Sequence, residues 1–213
     1  MVSIPFPEYA TLTLLMFGAG SLMFSYWLGT LSGVNIRDVG DGNPGAYNLI
    51  IAAGPFLGAL GLVLDYAKGF VPLFLAAQHF DVSNLDPFPK ALLYASPILG
   101  HAFSPFLRFR GGKAIAVSFG VWSAITTWQA PTLMGLVMTV GLVLSRMRRF
   151  AHVRDAILIA TPFVSLMSVA ALVFFGKYGR FAYYVLAINL LVFAYRFFGG
   201  HGTARAPEPA HSR

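Results

Sequence analysis

Arginine, lysine, asparagine and glycine collect at three places in an otherwise oily chain: Gly33–Asn48, Leu64–Pro72 and Gly100–Lys113. In the first stretch, glycines at 33, 40, 42 and 45 open backbone conformations closed to other residues. Successive N–H groups in such a loop can form an anion-binding nest. Asn43 and Asn48 add amide donors, and Arg37 adds a planar cation that matches phosphate oxygens. Asp38 and Asp41 bring the opposite charge, and Asp41 has the chemistry of a general base. An ordinary tight connection with Arg37 as a surface marker is the alternative.

In the second stretch Asp65 and Lys68 lie one helical turn apart within an apolar run, so they can pair. A lysine there faces a protein interior or a wet cavity, as an ion-pair partner or as an anion ligand. Gly69 and Pro72 allow the helix to bend or open. In the third stretch Gly111-Gly112-Lys113 precedes a helix, whose positive end and backbone donors can hold an anion together. His101 could serve as acid, base, donor or buried structural group.

The elements that position these groups are membrane helices. Hydrophobic residues make up 57% of 213, charged residues only 11%, and mean hydropathy is +0.69. A soluble domain carries roughly 25% charged residues. The chain has no cysteine, which excludes disulfides and thiolate metal sites. The net charge of +7 marks membrane orientation rather than nucleic-acid binding. Seven apolar segments are expected near 9–31, 51–78, 90–107, 114–128, 130–145, 156–175 and 181–198. Pro131 favours a tight hairpin between the fourth and fifth, and one long span is the alternative there.

Seven crossings place 11 basic residues on one side (Arg37, Arg108, Arg110, Lys113, Arg146, Arg148, Arg149, Arg154, Arg196, Arg205 and Arg213) and 3 on the other (Lys90, Lys177 and Arg180). Basic residues concentrate in the cytoplasm, so the N-terminus is expected outside and the C-terminus inside. The expected organisation is one membrane domain, 1–198, with a short mobile cytoplasmic tail, 199–213. Gly54, Gly58 and Gly61 have the spacing of a close helix–helix contact.

The order of these motifs resembles the acyl-phosphate-dependent glycerol-3-phosphate acyltransferases of bacteria, the PlsY family. The resemblance runs from Gly20-Ser-Leu-Met-Phe24 through Asn35–Asn48, Leu64–Gly69 and Gly100–Phe103, and is sharpest at Phe109-Arg-Gly-Gly-Lys113. It implies an all-α fold of seven transmembrane helices in the bacterial inner membrane, with the site facing the cytoplasm. It implies transfer of an acyl group from acyl phosphate to the 1-hydroxyl of glycerol 3-phosphate, giving lysophosphatidic acid for phospholipid synthesis. Membrane lipids are the surroundings, and neither metal, cofactor nor nucleic acid is implied. Arg37, Asn43, Gly45, Asn48, Lys68, Gly69, His101, Gly111, Gly112 and Lys113 match the family pattern. With Gly42 and Asp41 they form the expected site, Lys113, His101 and Asp41 being the candidates for catalysis and the others for substrate binding.

The chain departs from that pattern where hydroxyls and charges are expected. Asp41-Gly42-Asn43 stands for Ser-Gly-Asn, Tyr47 for a threonine, Ile51 for a basic residue and Ala114 for a glycine. The C-terminal His-Arg-x-Asn-Ile signature is absent around Tyr195–Gly200. A relative with lost or altered catalysis, which binds a lipid phosphate or partners an active homologue, is therefore the alternative. A small transporter is a third class that an intramembrane lysine permits.

Overall fold

The structure, a computed structural model, describes residues 5–176 and 178–199. Lys177 and all of the expected tail beyond Gly199 lie outside the described residues. Among the described residues the regular structure is entirely helical: α1 Phe6–Ser21, α2 Phe24–Leu31, α3 Ala46–Ala53, α4 Pro55–His79, α5 Pro87–Ala102, α6 Ile115–Thr126, α7 Gln129–Arg146, α8 Arg154–Phe175 and α9 Arg180–Phe198, with short 3-10 turns between some of them. The stretches Phe6–Leu31, Pro55–His79, Arg148–Phe175 and Arg180–Phe198 are long and apolar enough to cross a membrane. Large side chains such as Phe56, Leu136, Phe174 and Leu191 point outward, the face a helix shows to lipid.

The helices are cut more finely than the seven expected segments. The first, 9–31, is two helices separated at Leu22 and Met23, where Leu22 takes an extended ψ of 123°. Breaking a helix in an apolar setting frees carbonyls that need donors. Here Ser104 Oγ donates to the Ser21 carbonyl at 2.7 Å, and Lys68 Nζ donates to the Leu22 carbonyl. The second expected segment, 51–78, begins in α3 and turns into α4 at Gly54, whose φ of +89° suits glycine. The α4 helix then continues through Gly69 and Pro72, so of the bend or opening that these residues allow, the helix does not open. Segments four and five are separate helices, α6 and α7, joined by Thr127 and Trp128; one long span is excluded. Pro131 sits in the first turn of α7, where its missing N–H leaves no helical bond unmade.

Packing pairs α1 with α5, α4 with α6, α7 with α8 and α5 with α9. Small residues set the separations: a Cβ on Gly20 would lie 2.2 Å from the Pro97 carbonyl oxygen, and one on Gly120 the same distance from that of Tyr66. Gly58 and Gly61 meet Ile50 of α3 and Ser25 of α2, as their spacing predicts, whereas Gly54 makes no such contact and serves the turn instead. Deep between α6 and α9, Trp122 Nε1 donates to Asn189 Oδ1 at 3.1 Å, and Asn189 Nδ2 donates to Ser118 Oγ at 2.9 Å. Ser118 Oγ in turn donates to the Ala114 carbonyl at 2.7 Å. This chain of bonds ties α9 to the residue that follows Lys113.

Candidate anion site

One loop, between α5 and α6, carries the Arg110-Gly-Gly-Lys113 sequence, and each backbone N–H from Leu107 to Lys113 in it is engaged. The N–H groups of Gly111 and Gly112 donate to the carbonyls of Ala102 and His101, each at 3.1 Å. The Lys113 N–H donates to Asn43 Oδ1 at 3.1 Å. Two guanidinium groups hold adjacent carbonyls: Arg37 Nη2 donates to Arg110 at 2.6 Å, and Arg196 Nη2 donates to Gly111. The approach requires glycine, since a Cβ on Gly111 would sit 1.9 Å from the His101 carbonyl oxygen and one on Gly112 2.3 Å from His101 Nε2.

The segment between α2 and α3 supplies the opposite wall. Asn35 Oδ1 accepts the Arg37 N–H at 3.2 Å, which fixes the 3-10 turn and directs Arg37 to the loop, its guanidinium 5.6 Å from the Tyr26 ring centroid. Asp38 is turned away from Arg37 and accepts from Asn35 Nδ2 at 2.9 Å. Gly45 caps α3 beside the Asn43 amide. Asn48, on α3, is buried and sends Nδ2 to Asp41 Oδ1 and to the Asn43 carbonyl, both at 3.0 Å. Gly42 turns the chain between Asp41 and Asn43 with φ +70°.

The two walls meet through Lys113 and Asp41, whose Nζ and Oδ2 are 2.5 Å apart. The Phe197 ring of α9 lies under the same ammonium, 4.1 Å from its centroid. Burial pushes the Asp41 carboxyl up, but the hydrogen bond and charge of Lys113, with the Asn43 N–H and the Asn48 amide, outweigh it and hold the group below its ordinary value. A carboxylate so held is a weak base, which counts against the general-base role expected for Asp41.

The fold thus brings together Arg37, Asp41, Gly42, Asn43, Gly45, Asn48, Gly111, Gly112 and Lys113. His101 lies buried beneath them, its ring against Gly112 and its Nδ1 without a hydrogen-bond partner among the described residues. Two expectations change. The glycine N–H groups at 111 and 112 are committed to the end of α5, so they are not the anion donors their sequence suggested. Gly69 is a packing residue: a Cβ there would lie 2.5 Å from the Val117 carbonyl oxygen of α6. Lys68 is buried, paired with Asp65 at 2.8 Å and bonded to Leu22, which accounts for it as the pin of the helix break.

Arg196 is the residue that sequence reasoning missed. It read as one more basic helix end, and only the docking of α9 puts it on Gly111. Among the described residues no group of three or more histidine, aspartate and glutamate side chains comes together as a metal site.

A family model of glycerol-3-phosphate acyltransferase matches residues 10–199. Glycerol-3-phosphate acyltransferase 1 of Thermotoga maritima is 41% identical over 136 residues, which span 63% of this chain and 66% of the relative, just under two thirds of its length. The glycerol-3-phosphate acyltransferase of a Wolbachia from Brugia malayi is 34% identical over 75% of this chain and 85% of its own. The fold is similar to the crystal structure of PlsY (YgiH), an integral membrane glycerol 3-phosphate acyltransferase, in its glycerol 3-phosphate form. The TM-score is 0.76 and the identity 25%, with 88% of this chain and 87% of the other covered.

Proposed function

Because the chain belongs to the glycerol-3-phosphate acyltransferase family, we propose that it moves an acyl group from acyl phosphate to the 1-hydroxyl of glycerol 3-phosphate in phospholipid synthesis. The observation that carries this reading at the site is the convergence of Arg37, Asn43, Asn48 and Lys113, from the α2–α3 segment, the first turn of α3 and the distant α5–α6 loop, at one end of the helices. Cations and amides grouped in this way suit a phosphate. Both substrates are phosphorylated, and the donor is already activated. The protein's main task is then to bring two anions into contact, and proximity supplies much of the acceleration.

In the reaction the glycerol oxygen bonds to the acyl carbon, and the bond from that carbon to the phosphate oxygen breaks. The departing phosphate takes the hydroxyl proton, so no side-chain base is needed. Lys113 stabilises the charge that moves onto that phosphate. Arg37 and Arg196 fix the loop that aims Lys113, and His101 supports the loop from below. The helices would make seven crossings: α1 with α2, α4, α5, α6, α7, α8 and α9, with α3 a short half-helix at the site. The excess of positive residues on one side supports a site and a C-terminus in the cytoplasm and an N-terminus outside a bacterial inner membrane.

The test supplies purified protein in lipid with acyl phosphate and glycerol 3-phosphate, and follows phosphate release together with lysophosphatidic acid. Equal amounts of both are expected. Folded protein that makes neither overturns the reading, and phosphate release alone points to another acceptor, including water. The Lys113–Asp41 ion pair favours one second reading, a relative with altered catalysis, because the charge meant for substrate is already matched. Turnover with a different hydroxyl acceptor would support it.

A further inference from the structure

Three donors converge on one carboxylate: Asp41 accepts from Lys113 Nζ at 2.5 Å, from the Asn43 N–H at 3.1 Å and from Asn48 Nδ2 at 3.0 Å. A lysine ammonium, a loop N–H and a side-chain amide are together what a phosphate oxygen takes from a protein. The other acid of this loop, Asp38, has no such set and accepts from its neighbour Asn35. The cradle the glycine loop was expected to build for an anion is therefore present, and the anion in it belongs to the chain.

We propose that Asp41 is a specificity-determining residue that acts as a built-in competitor: its carboxylate stands where a substrate phosphate oxygen binds, and an external anion must displace it from Lys113. The inference rests on the reading above that Lys113 holds a phosphate.

The backbone N–H groups of Gly111, Gly112 and Lys113 are already used, so within the Gly111-Gly112-Lys113 run the ammonium of Lys113 is the group that an incoming anion can recruit. Asp41 is able to leave, because 44% of its side chain is exposed while Lys113 is covered to 23% exposure. Once displaced, the carboxylate is stabilised by water. Left in place beside a phosphate it repels it, and the repulsion rises with the charge of the ligand. Asp41 therefore weakens phosphate binding, and weakens it more for a dianion than for a monoanion.

The experiment measures binding of inorganic phosphate and of glycerol 3-phosphate to the full chain in lipid nanodiscs by titration calorimetry. The proteins are the wild type, Asp41→Ser, the nearly isosteric Asp41→Asn, and Asp41→Ser combined with Lys113→Ala. Both single variants should bind phosphate about tenfold more tightly, the gain being larger at pH 8 than at pH 5.5, where phosphate is a monoanion. The double variant should lose the gain. Unchanged or weaker binding by a single variant that melts like wild type overturns the proposal, as does a gain that survives in the double variant. If Asp41→Ser fails to fold, Asp41→Asn decides. The readout needs no turnover: a protein that makes no lysophosphatidic acid but tightens on Asp41→Asn keeps this proposal and loses the acyltransfer reading, and active protein with no tightening does the reverse.

Discussion

The Lys68 ammonium and the Asp65 carboxylate are 2.8 Å apart with almost no solvent on either side chain. Asp65 also accepts from Ser25 Oγ of α2 at 2.6 Å, and Lys68 reaches the Leu22 carbonyl. One ion pair thus fastens α4 to both sides of the break between α1 and α2. Removing one member of a buried pair strands the other, at a cost of about 3–5 kcal/mol. Lys68→Met should destabilise on that scale, and Lys68→Met with Asp65→Leu should cost clearly less. Thermal unfolding in nanodiscs checks both. A direct substrate role for Lys68 gains support if the double variant is as stable as wild type but has lost phosphate binding.

Arg196 acts on the site through the Gly111 carbonyl. Loss of a hydrogen bond made by a charged group costs about 1.5–3 kcal/mol. Arg196→Gln should lower kcat/KM by about tenfold to a hundredfold, since 1.4 kcal/mol is a factor of ten. Arg196→Lys should recover only part, because the guanidinium geometry is not replaced. Steady-state kinetics with melting as the fold control tests this, and a full-activity Arg196→Gln variant removes Arg196 from the mechanism.

The pH dependence of the Lys113–Asp41 contact follows from the direction of the Asp41 shift. The folded carboxyl is held below its ordinary 3.8. A depressed acid contributes stability above its ordinary value and loses it as pH falls through the folded value. The contact should therefore persist from neutral pH to below 3.8. Asp41 should give no inflection in kcat/KM between about pH 5 and 9. An inflection in that range that vanishes in Asp41→Asn would show instead that the carboxyl titrates as a working base.

Thr127 joins α6 to α7 with φ 63° and ψ −96°, a region that β-branched residues avoid. Backbone strain of this kind costs about 1–3 kcal/mol. The side chain is exposed, so Thr127→Gly should stabilise the protein by about 1 kcal/mol after the greater chain entropy of glycine is counted. A raised melting temperature with unchanged turnover is the expected result, and a lowered one would mean that the threonine is favourable at that corner.

The helical class, the apolar segments and the hairpin just before Pro131 were legible in the sequence because they depend on local composition and period. The pairing of Asp65 with Lys68 was legible for the same reason, since residues three apart share a helix face. So were the loops that carry the charges, as polar groups concentrate where the chain leaves an apolar layer. Their residue types pointed to an anion.

What tertiary structure alone decided is where each donor spends its hydrogen bond. The break falls at Leu22 and Met23, two good helix formers; it is sustained by Lys68 and Ser104, 46 and 83 residues from the carbonyls they serve. Gly111 and Gly112 looked like free anion donors, yet the end of α5 claims their N–H groups. Arg196 looked like a topology marker until α9 docked beside the loop. Asp41 looked like a flaw in an anion site or a base, and the chain had to fold before Lys113, 72 positions further along, could meet it. Local residue types set the available charges and dihedral preferences, but a hydrogen bond or ion pair forms only between groups that long-range packing brings within about 3 Å.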